Sequence, residues 1–324
     1  MTSPQLPPKT IHTAPLTAAQ ATHLRALLTE RGWKFDTRPY MLYFAQHEKL
    51  TVAVYEKGPK IVVQGKGTAE FVQFILEPEI IGEAKLGYEE ISDPAMFEPH
   101  FGIDESGKGD FFGPLVIAGA YVDRGIARTF LQAGIQDSKR IGSDKKIRDF
   151  AELIRHTPGS IPTVVVIGPE RYNQLYEKFG NLNRLLAWGH ARVIENLLER
   201  RPDCPRALSD QFANPKLIER ALLEKGRGIT LDQRTKAESD LAVAAASILA
   251  REGFIDWLQK NGRTFQREFP RGASAAVKTT ARELAGAHGP EILHRLAKTH
   301  FKTAAEVAPE YFGRPSLPGA DDVV

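Results

Sequence analysis

A single cysteine, Cys204, stands among 324 residues, so the chain closes no disulfide within itself. A reducing, cytoplasmic setting is therefore expected. Alone, that thiol gives weak support for a thiol-based catalyst. No apolar run reaches the roughly 18 residues a membrane helix needs, and the first stretch, MTSPQLPPKTIHTAPL, has no apolar core for secretion. Two phosphate-binding fingerprints are missing as well. Gly102 stands too far from Gly107 for G-x-G-x-x-G, and Lys108 is followed by Gly109 rather than the Ser or Thr of a mononucleotide loop. Charge of one sign does not dominate either. Lys and Arg number 43 against 40 Asp and Glu, and a net charge of +3 permits a nucleic-acid partner without demanding one. What is present is ordinary: 42% hydrophobic and 26% charged residues suffice for a full core and exclude bulk disorder.

The length suits two domains, or one large domain with an appendage. Residues 1–16, rich in Pro and Thr, read as a flexible terminus. Thr17 is a candidate N-cap, followed at helical spacing by Ala18, Ala21, Leu24, Leu27 and Leu28. Strand-like runs follow at 40–46, 50–56 and 60–65, and a second helix starts near Thr68 with Phe71, Phe74 and Ile75 apolar. Residues 17–77 thus form a small α+β module, and 78–97 a linker. From residue 98 to 305, strand signals at 101–104, 111–122, 163–168 and 207–212 alternate with helices at 143–156, 171–178, 182–200 and about 240–259. That order predicts an α/β layer structure with a mixed sheet. Residues 306–324 read as a tail.

Three segments carry chemistry. The densest is Gly102-Ile103-Asp104-Glu105-Ser106-Gly107-Lys108-Gly109-Asp110. Adjacent strand residues point to opposite faces, so Asp104 and Glu105 serve one site only if the chain turns there. Backbone N–H groups of the Gly-Lys-Gly turn, with a lysine beside carboxylates, suit a phosphate next to a metal; a solvated hairpin turn is the plain alternative. The second is Asp210, at the end of a short strand where open α/β sheets place ligands, or else a turn residue. The third is Lys236-Ala237-Glu238-Ser239-Asp240 ahead of LAVAAASILARE, whose small residues let a helix press on the sheet. Acids at a helix N-terminus can also be there for the dipole, and spacing does not choose between Glu238 and Asp240. Together these carboxylates, with no His or Cys among them, favour Mg2+ or Mn2+, and two such ions suit in-line displacement at phosphorus.

The motifs FGIDESGKGDFFGPLVIAGAYV, DSKR, SDQF and TKAESDLAVAAASILARE, taken in that order, resemble the type 2 ribonucleases H. Gly-Lys-Gly, Glu at 238 and the N-terminal module resemble the ribonuclease HIII branch, whereas ribonuclease HII normally has Gly-Arg-Gly and an Asp there. The resemblance implies a ribonuclease H-like mixed sheet with flanking helices. It implies catalytic, metal-holding residues Asp104, Glu105, Asp210 and Glu238, with two Mg2+ or Mn2+ ions when substrate is bound, and leaves Asp240 as a helix-start residue. Gly107, Lys108 and Gly109 would read the 2′-hydroxyl of the RNA strand. The activity implied is endonucleolytic cleavage of RNA in an RNA–DNA hybrid, leaving 3′-hydroxyl and 5′-phosphate ends.

The N-terminal module resembles the substrate-binding domain of that branch, itself similar to half of a TATA-box-binding protein. Tyr40, Tyr43, Lys57 and Lys60 are its candidate substrate contacts, as basic and aromatic residues on one sheet face suit a duplex; the plain alternative is tyrosines in the core and lysines along a solubilising edge. Ser138 and Lys139 either touch phosphates of the DNA strand or hold a loop. Asn181 and Asn183 read as helix caps, and His190 as a packed residue. Arg271, Ser274, Lys298 and His300 are candidate phosphate or surface contacts. Ribonuclease HII reads an RNA–DNA junction with a downstream tyrosine, whereas after Tyr176 this chain has only Tyr311. Two alternatives are excision at single embedded ribonucleotides and hybrid binding without catalysis. A cytoplasmic monomer acting on a hybrid, with no membrane partner, is the expectation.

Overall fold

A computed structural model describes residues 10–82, 90, 93–210, 216–222, 225–234 and 237–313. The chain divides into Met1–Phe97 with Arg128–Gly134, and Glu98–Ala127 with Ile135–Val324. Among the described residues no helix is long and apolar enough to cross a membrane.

The N-terminal unit is an antiparallel five-stranded sheet of order β1-β5-β4-β3-β2. Its strands are β1 (Ile11–Pro15), β2 (Lys34–Asp36), β3 (Met41–His47), β4 (Leu50–Tyr55) and β5 (Lys60–Gly65). The expected flexible terminus is corrected from residue 10 onward, because β1 pairs with β5 from Ile11–Gln64 to Pro15–Lys60. Helix Ala18–Glu30 starts where Thr17 predicts. The Thr17 hydroxyl accepts from the Gln20 N–H, and the Gln20 side chain accepts from the Thr17 N–H. The second helix, Thr68–Phe71, continues as wider turns over Val72–Ile81, which take up the start of the expected linker. Both helices cover one sheet face, where Leu24, Leu28, Val52, Val54, Ile61, Val63, Phe71 and Leu76 form the core. Phe74, apolar like Phe71 and Ile75 in this stretch, is 64% exposed. The other sheet face carries exposed Lys60 and Gln64, with Phe44 and Ala53 buried at its middle.

The second unit is built on a five-stranded mixed sheet, order β10-β9-β6-β7-β8. Its strands are β6 (His100–Ser106), β7 (Leu115–Val122), β8 (Ile161–Ile167), β9 (Arg206–Asp210) and β10 (Thr230–Arg234). β7 runs antiparallel to β6 and β8, while β9 runs parallel to β6 and to β10. Helices cover both faces. Helix Leu182–Arg200 lies against the odd-numbered side of β7, where a side chain at Gly189 would meet Ile117 at 2.0 Å. Helix Leu241–Phe265 lies on the even-numbered side, where a Cβ at Gly102 would stand 2.1 Å from the Ala242 carbonyl carbon. Backbone thus packs on backbone there, which explains the run of small buried residues from Ala244 to Ser247. Asn181 caps the first of these helices, accepting from the Asn183 and Arg184 N–H groups.

Candidate active site

β6 does not turn between Asp104 and Glu105. It stays paired with β7 through Ser106–Val116, and the chain bends only at Gly107, at φ +86°. The two acids therefore leave the strand on opposite faces, contrary to the expected turn. Glu105 points to the face of helix Leu182–Arg200, where His190 donates from Nε2 to Glu105 Oε2 at 3.1 Å. Lys108 Nζ stands 3.8 Å from Glu105 Oε1. Asp104 shares the face of Gly102 and helix Leu241–Phe265, and its Oδ1 accepts from the Glu105 N–H at 2.8 Å.

Parallel pairing brings Asp210 to the same place. β6 and β9 match Phe101 with Ala207, Gly102 with Leu208 and Ile103 with Ser209. Asp210 is thus one rung beyond the last pair, beside Asp104, at a strand spacing of about 4.8 Å. Leu208 packs with Ala237 and Val243, so its strand neighbour two residues on, Asp210, faces the same side. Ala237 begins the turn Ala237–Ser239 that holds half-buried Glu238. Asp104, Asp210 and the turn bearing Glu238 are thereby gathered on one side of the sheet's end, and Glu105 is on the other.

The electrostatics of the two adjacent acids differ accordingly. Burial first, then the charge of Glu105, hold the Asp104 carboxyl well above the usual carboxylate range, against the pull of the Glu105 N–H and Lys139. Burial also opposes charge on Glu105. There the hydrogen bond and charge of His190, with Lys108 and Lys139, prevail and hold it below its usual range. Among the described residues no three Asp, Glu, His or Cys side chains stand together as a preformed ion cage. The donor chemistry nevertheless fits a hard divalent ion, because all four side chains offer carboxylate oxygens and Asp104 is held in a place that disfavours its bare charge.

The Gly-Lys-Gly turn has two unlike glycines. At Gly107 the fold itself requires glycine, since a Cβ would meet the Pro114 carbonyl at 2.2 Å. At Gly109 no described residue beyond its chain neighbours lies within 4 Å of a Cβ, which leaves room there for a molecule from outside. Of the DSKR pair, Ser138 is buried, and its backbone is held by Ser247 Oγ at 2.8 Å and by Arg251. This corrects Ser138 as a phosphate contact: it holds the loop, and Lys139 is the exposed member. Asp240 caps helix Leu241–Phe265 through the Ala242 and Val243 N–H groups and accepts from buried His100 Nε2 at 3.0 Å.

Sequence reading missed His190 as part of the site, because 85 positions separate it from Glu105 and no local spacing signals the contact. Lys298 is corrected from a surface contact to a fully buried residue, and Arg271 pairs with Asp144 at 2.7 Å. Burial pushes the Cys204 thiol up to about 11.

In the N-terminal unit, Tyr43 is corrected from a substrate contact to core. It is 5% exposed, and its hydroxyl donates to the Ala21 carbonyl at 2.9 Å. Tyr40 is 82% exposed at the turn before β3, with φ 65°, and Lys57 lies in the β4–β5 turn. Lys60 is on the open face, between Tyr55 and Pro15. Register adds Lys34, Gln46, Thr51, Gln64 and Ile11 as one rung across that face. Arg38 lies over the Phe44 ring, 3.4 Å from its centroid.

A model of ribonuclease HII matches residues 101–304. Ribonuclease HIII of Chlamydia pneumoniae is 41% identical over 304 residues, 93% of this chain and 99% of that protein. Ribonuclease HIII of Protochlamydia amoebophila is 43% identical over 276 residues, 85% of this chain and 89% of that one. Among solved structures, Bst-RNase HIII in complex with Mn2+ is similar with a TM-score of 0.64 at 27% identity, covering 94% of this chain and 100% of that chain. Aquifex aeolicus RNase H3 follows with a TM-score of 0.52 at 26% identity, covering 89% of this chain and 99% of its own. The chain belongs to the ribonuclease HIII family.

Proposed function

We propose that this protein cleaves the RNA strand of RNA–DNA hybrids by phosphodiester hydrolysis, leaving 3′-hydroxyl and 5′-phosphate ends. The observation that carries this reading is the parallel β6–β9 register, which sets Asp104 beside Asp210 next to the turn of Glu238. Asp104, Asp210, Glu238 and, from the other face, Glu105 are the residues that would hold two Mg2+ or Mn2+ ions. If held there, such ions would neutralise the carboxylates, activate a water and stabilise the leaving oxygen. Kinship with the Mn2+-bound Bst-RNase HIII supports a divalent ion.

The chain's own groups supply the rest. His190 and Lys108 keep Glu105 ionised and aimed. Open space at Gly109 admits close approach of a sugar, so that Gly107, Lys108 and Gly109 meet the 2′-hydroxyl that marks RNA. Lys139 offers its charge to a phosphate. In the N-terminal unit, Tyr40, Lys57 and Lys60 are the proposed duplex contacts, with the open sheet face around Lys60 as the main surface. The single buried cysteine suits the reducing cytoplasm, where we place the protein as a monomer.

The test is a cleavage assay on RNA–RNA, DNA–DNA and RNA–DNA duplexes and on a DNA duplex with one ribonucleotide, with and without Mg2+ or Mn2+. Metal-dependent cutting of the long hybrid is the expected result. Exclusive cutting at the single ribonucleotide, or binding without any cutting, overturns it.

A further inference from the structure

Lys298 is fully buried, a rare place for a lysine. Its Nζ donates to the carbonyls of Asp110 and Gly113 at 2.8 and 2.7 Å, so one amine ties both ends of the turn that follows Gly107-Lys108-Gly109. Its own N–H donates to the Phe111 carbonyl at 2.8 Å. The same turn is held from two more sides. Phe111 N–H donates to the Gly272 carbonyl and Gly113 N–H to the Leu296 carbonyl, both at 2.9 Å, while Gly272 N–H donates to Asp110 Oδ1 at 2.6 Å. Behind Lys298, Asn173 fixes the segment that carries it. Asn173 Nδ2 donates to the His294 and Ala297 carbonyls, and its Oδ1 accepts from the Thr299 N–H.

This clamp has a definite object. Gly107 and Gly113 bracket the loop, each at φ +86°, a backbone conformation glycine adopts without strain. Asp110 N–H donates to the Gly107 carbonyl at 3.3 Å, which joins the substrate-facing turn to the clamped one. Burial pushes the Lys298 ammonium down to about 7, with the Asp110 charge pulling the other way. The Tyr172 ring lies 5.6 Å from Nζ, and burial together with the charge of Lys298 pushes neighbouring His300 down to about 4. An amine kept at such a cost, where an apolar side chain of like volume would pack, is kept for what it holds.

We propose that Lys298 is a positioning residue, which fixes the loop 107–113 so that the backbone of Gly107-Lys108-Gly109 is set for the RNA strand before substrate arrives. The proposal rests on the reading of those glycines given above.

Lys298→Met and Lys298→Arg are to be compared with the unmodified protein by thermal melting, by hydrogen exchange over 107–113, and by kcat and KM on a hybrid. A loop misplaced by about an ångström costs on the order of tenfold or more. The Met variant is expected to melt cooperatively, to exchange faster over 107–113, and to lose that factor mainly in KM, with partial rescue by Arg. A folded Met variant with native exchange and native KM overturns the proposal. If the Met variant does not fold, Asn173→Ala, which loosens the 297–299 segment from outside, must show the same faster exchange and raised KM; native behaviour there overturns it. If the unmodified chain cuts no hybrid, the proposed function fails on its own account. Exchange over 107–113 in the Met variant then still decides whether the clamp exists.

Discussion

The two sheets of this molecule treat their faces differently. In β5 of the N-terminal unit, buried Ile61 and Val63 alternate with exposed Lys60 and Gln64 and half-exposed Val62, while the middles of β3 and β4 are buried on both faces, at Tyr43–Ala45 and Val52–Val54. That sheet can offer a broad surface, but nothing concentrates reactive groups on it. In the second unit, all eight residues of β7 are buried, and helices lie on both faces. Chemistry is excluded from the body of such a sheet and is confined to the strand ends, where Asp104, Glu105 and Asp210 stand. Under the proposed function the difference becomes a division of labour, in which the open face would serve affinity and the closed sheet's edge turnover.

The sharpest way to break that division is Asp104→Asn. Loss of one carboxylate that steadies transition-state charge removes several kcal/mol, so kcat on a hybrid should fall by about 10³-fold while hybrid affinity is retained. A fall in affinity with turnover preserved would reverse the assignment. The same variant carries a pH signature in metal-free protein. The folded-state acidity of Asp104 is weakened by burial and by Glu105, so the folded protein holds this proton more tightly than the unfolded chain does. The stabilisation is complete below the unfolded value of about 3.9 and is lost as pH rises through the folded value. Melting curves of the unmodified protein should therefore drop, relative to Asp104→Asn, as pH rises through that window. Parallel curves would remove the claim that Asp104 is strained as a bare anion.

How far the sequence alone reaches can be judged from particular residues. The strand-then-acid pattern at Gly102–Glu105, the helix Leu182–Arg200 and the small-residue helix were legible because each depends on local periodicity. β1, β2 and β10 were not. β1 ends in Pro15 and β2 has three residues, and both are edge strands, which tolerate what a central strand forbids. β10, Thr-Leu-Asp-Gln-Arg, is a polar edge strand with little apolar signal. Tyr43 misled for a sharper reason. A register shift between Met41 and Tyr43 decides which face the ring takes, and one residue of slip inverts every side chain. Asp210 could be placed beside Asp104 only through strand pairing, and His190 beside Glu105 only through helix packing. Neither relation is written in spacing along the chain.

His190→Ala tests whether the closed sheet's edge depends on its covering helix. Glu105 would keep Lys108 and Lys139 but lose the hydrogen bond that opposes its burial. Removing a partner that orients a ligand typically costs about 10- to 100-fold in activity or metal affinity. The expected result is a loss in that range, with a higher Mg2+ or Mn2+ requirement and a melting temperature lowered by a few degrees, because a buried ring and a partner of Glu105 are lost. A variant that melts far lower and is restored fully by cooling would mean that His190 merely packs.

Lys60→Ala probes the other half of the division, and the effect should be the smallest. Lys60 stands on the open face opposite Tyr55 and Pro15, outside the core that Ile61 enters, so its removal leaves the fold intact. One phosphate contact contributes a slope of about 0.9 in the logarithm of affinity against the logarithm of salt. The variant should therefore bind a hybrid a few-fold more weakly at low salt, converge on the native protein at high salt, and leave kcat unchanged. A lower kcat with an unchanged salt slope would place Lys60 in the chemistry rather than on the duplex, and the separation of affinity from turnover would fail at the residue best placed to show it.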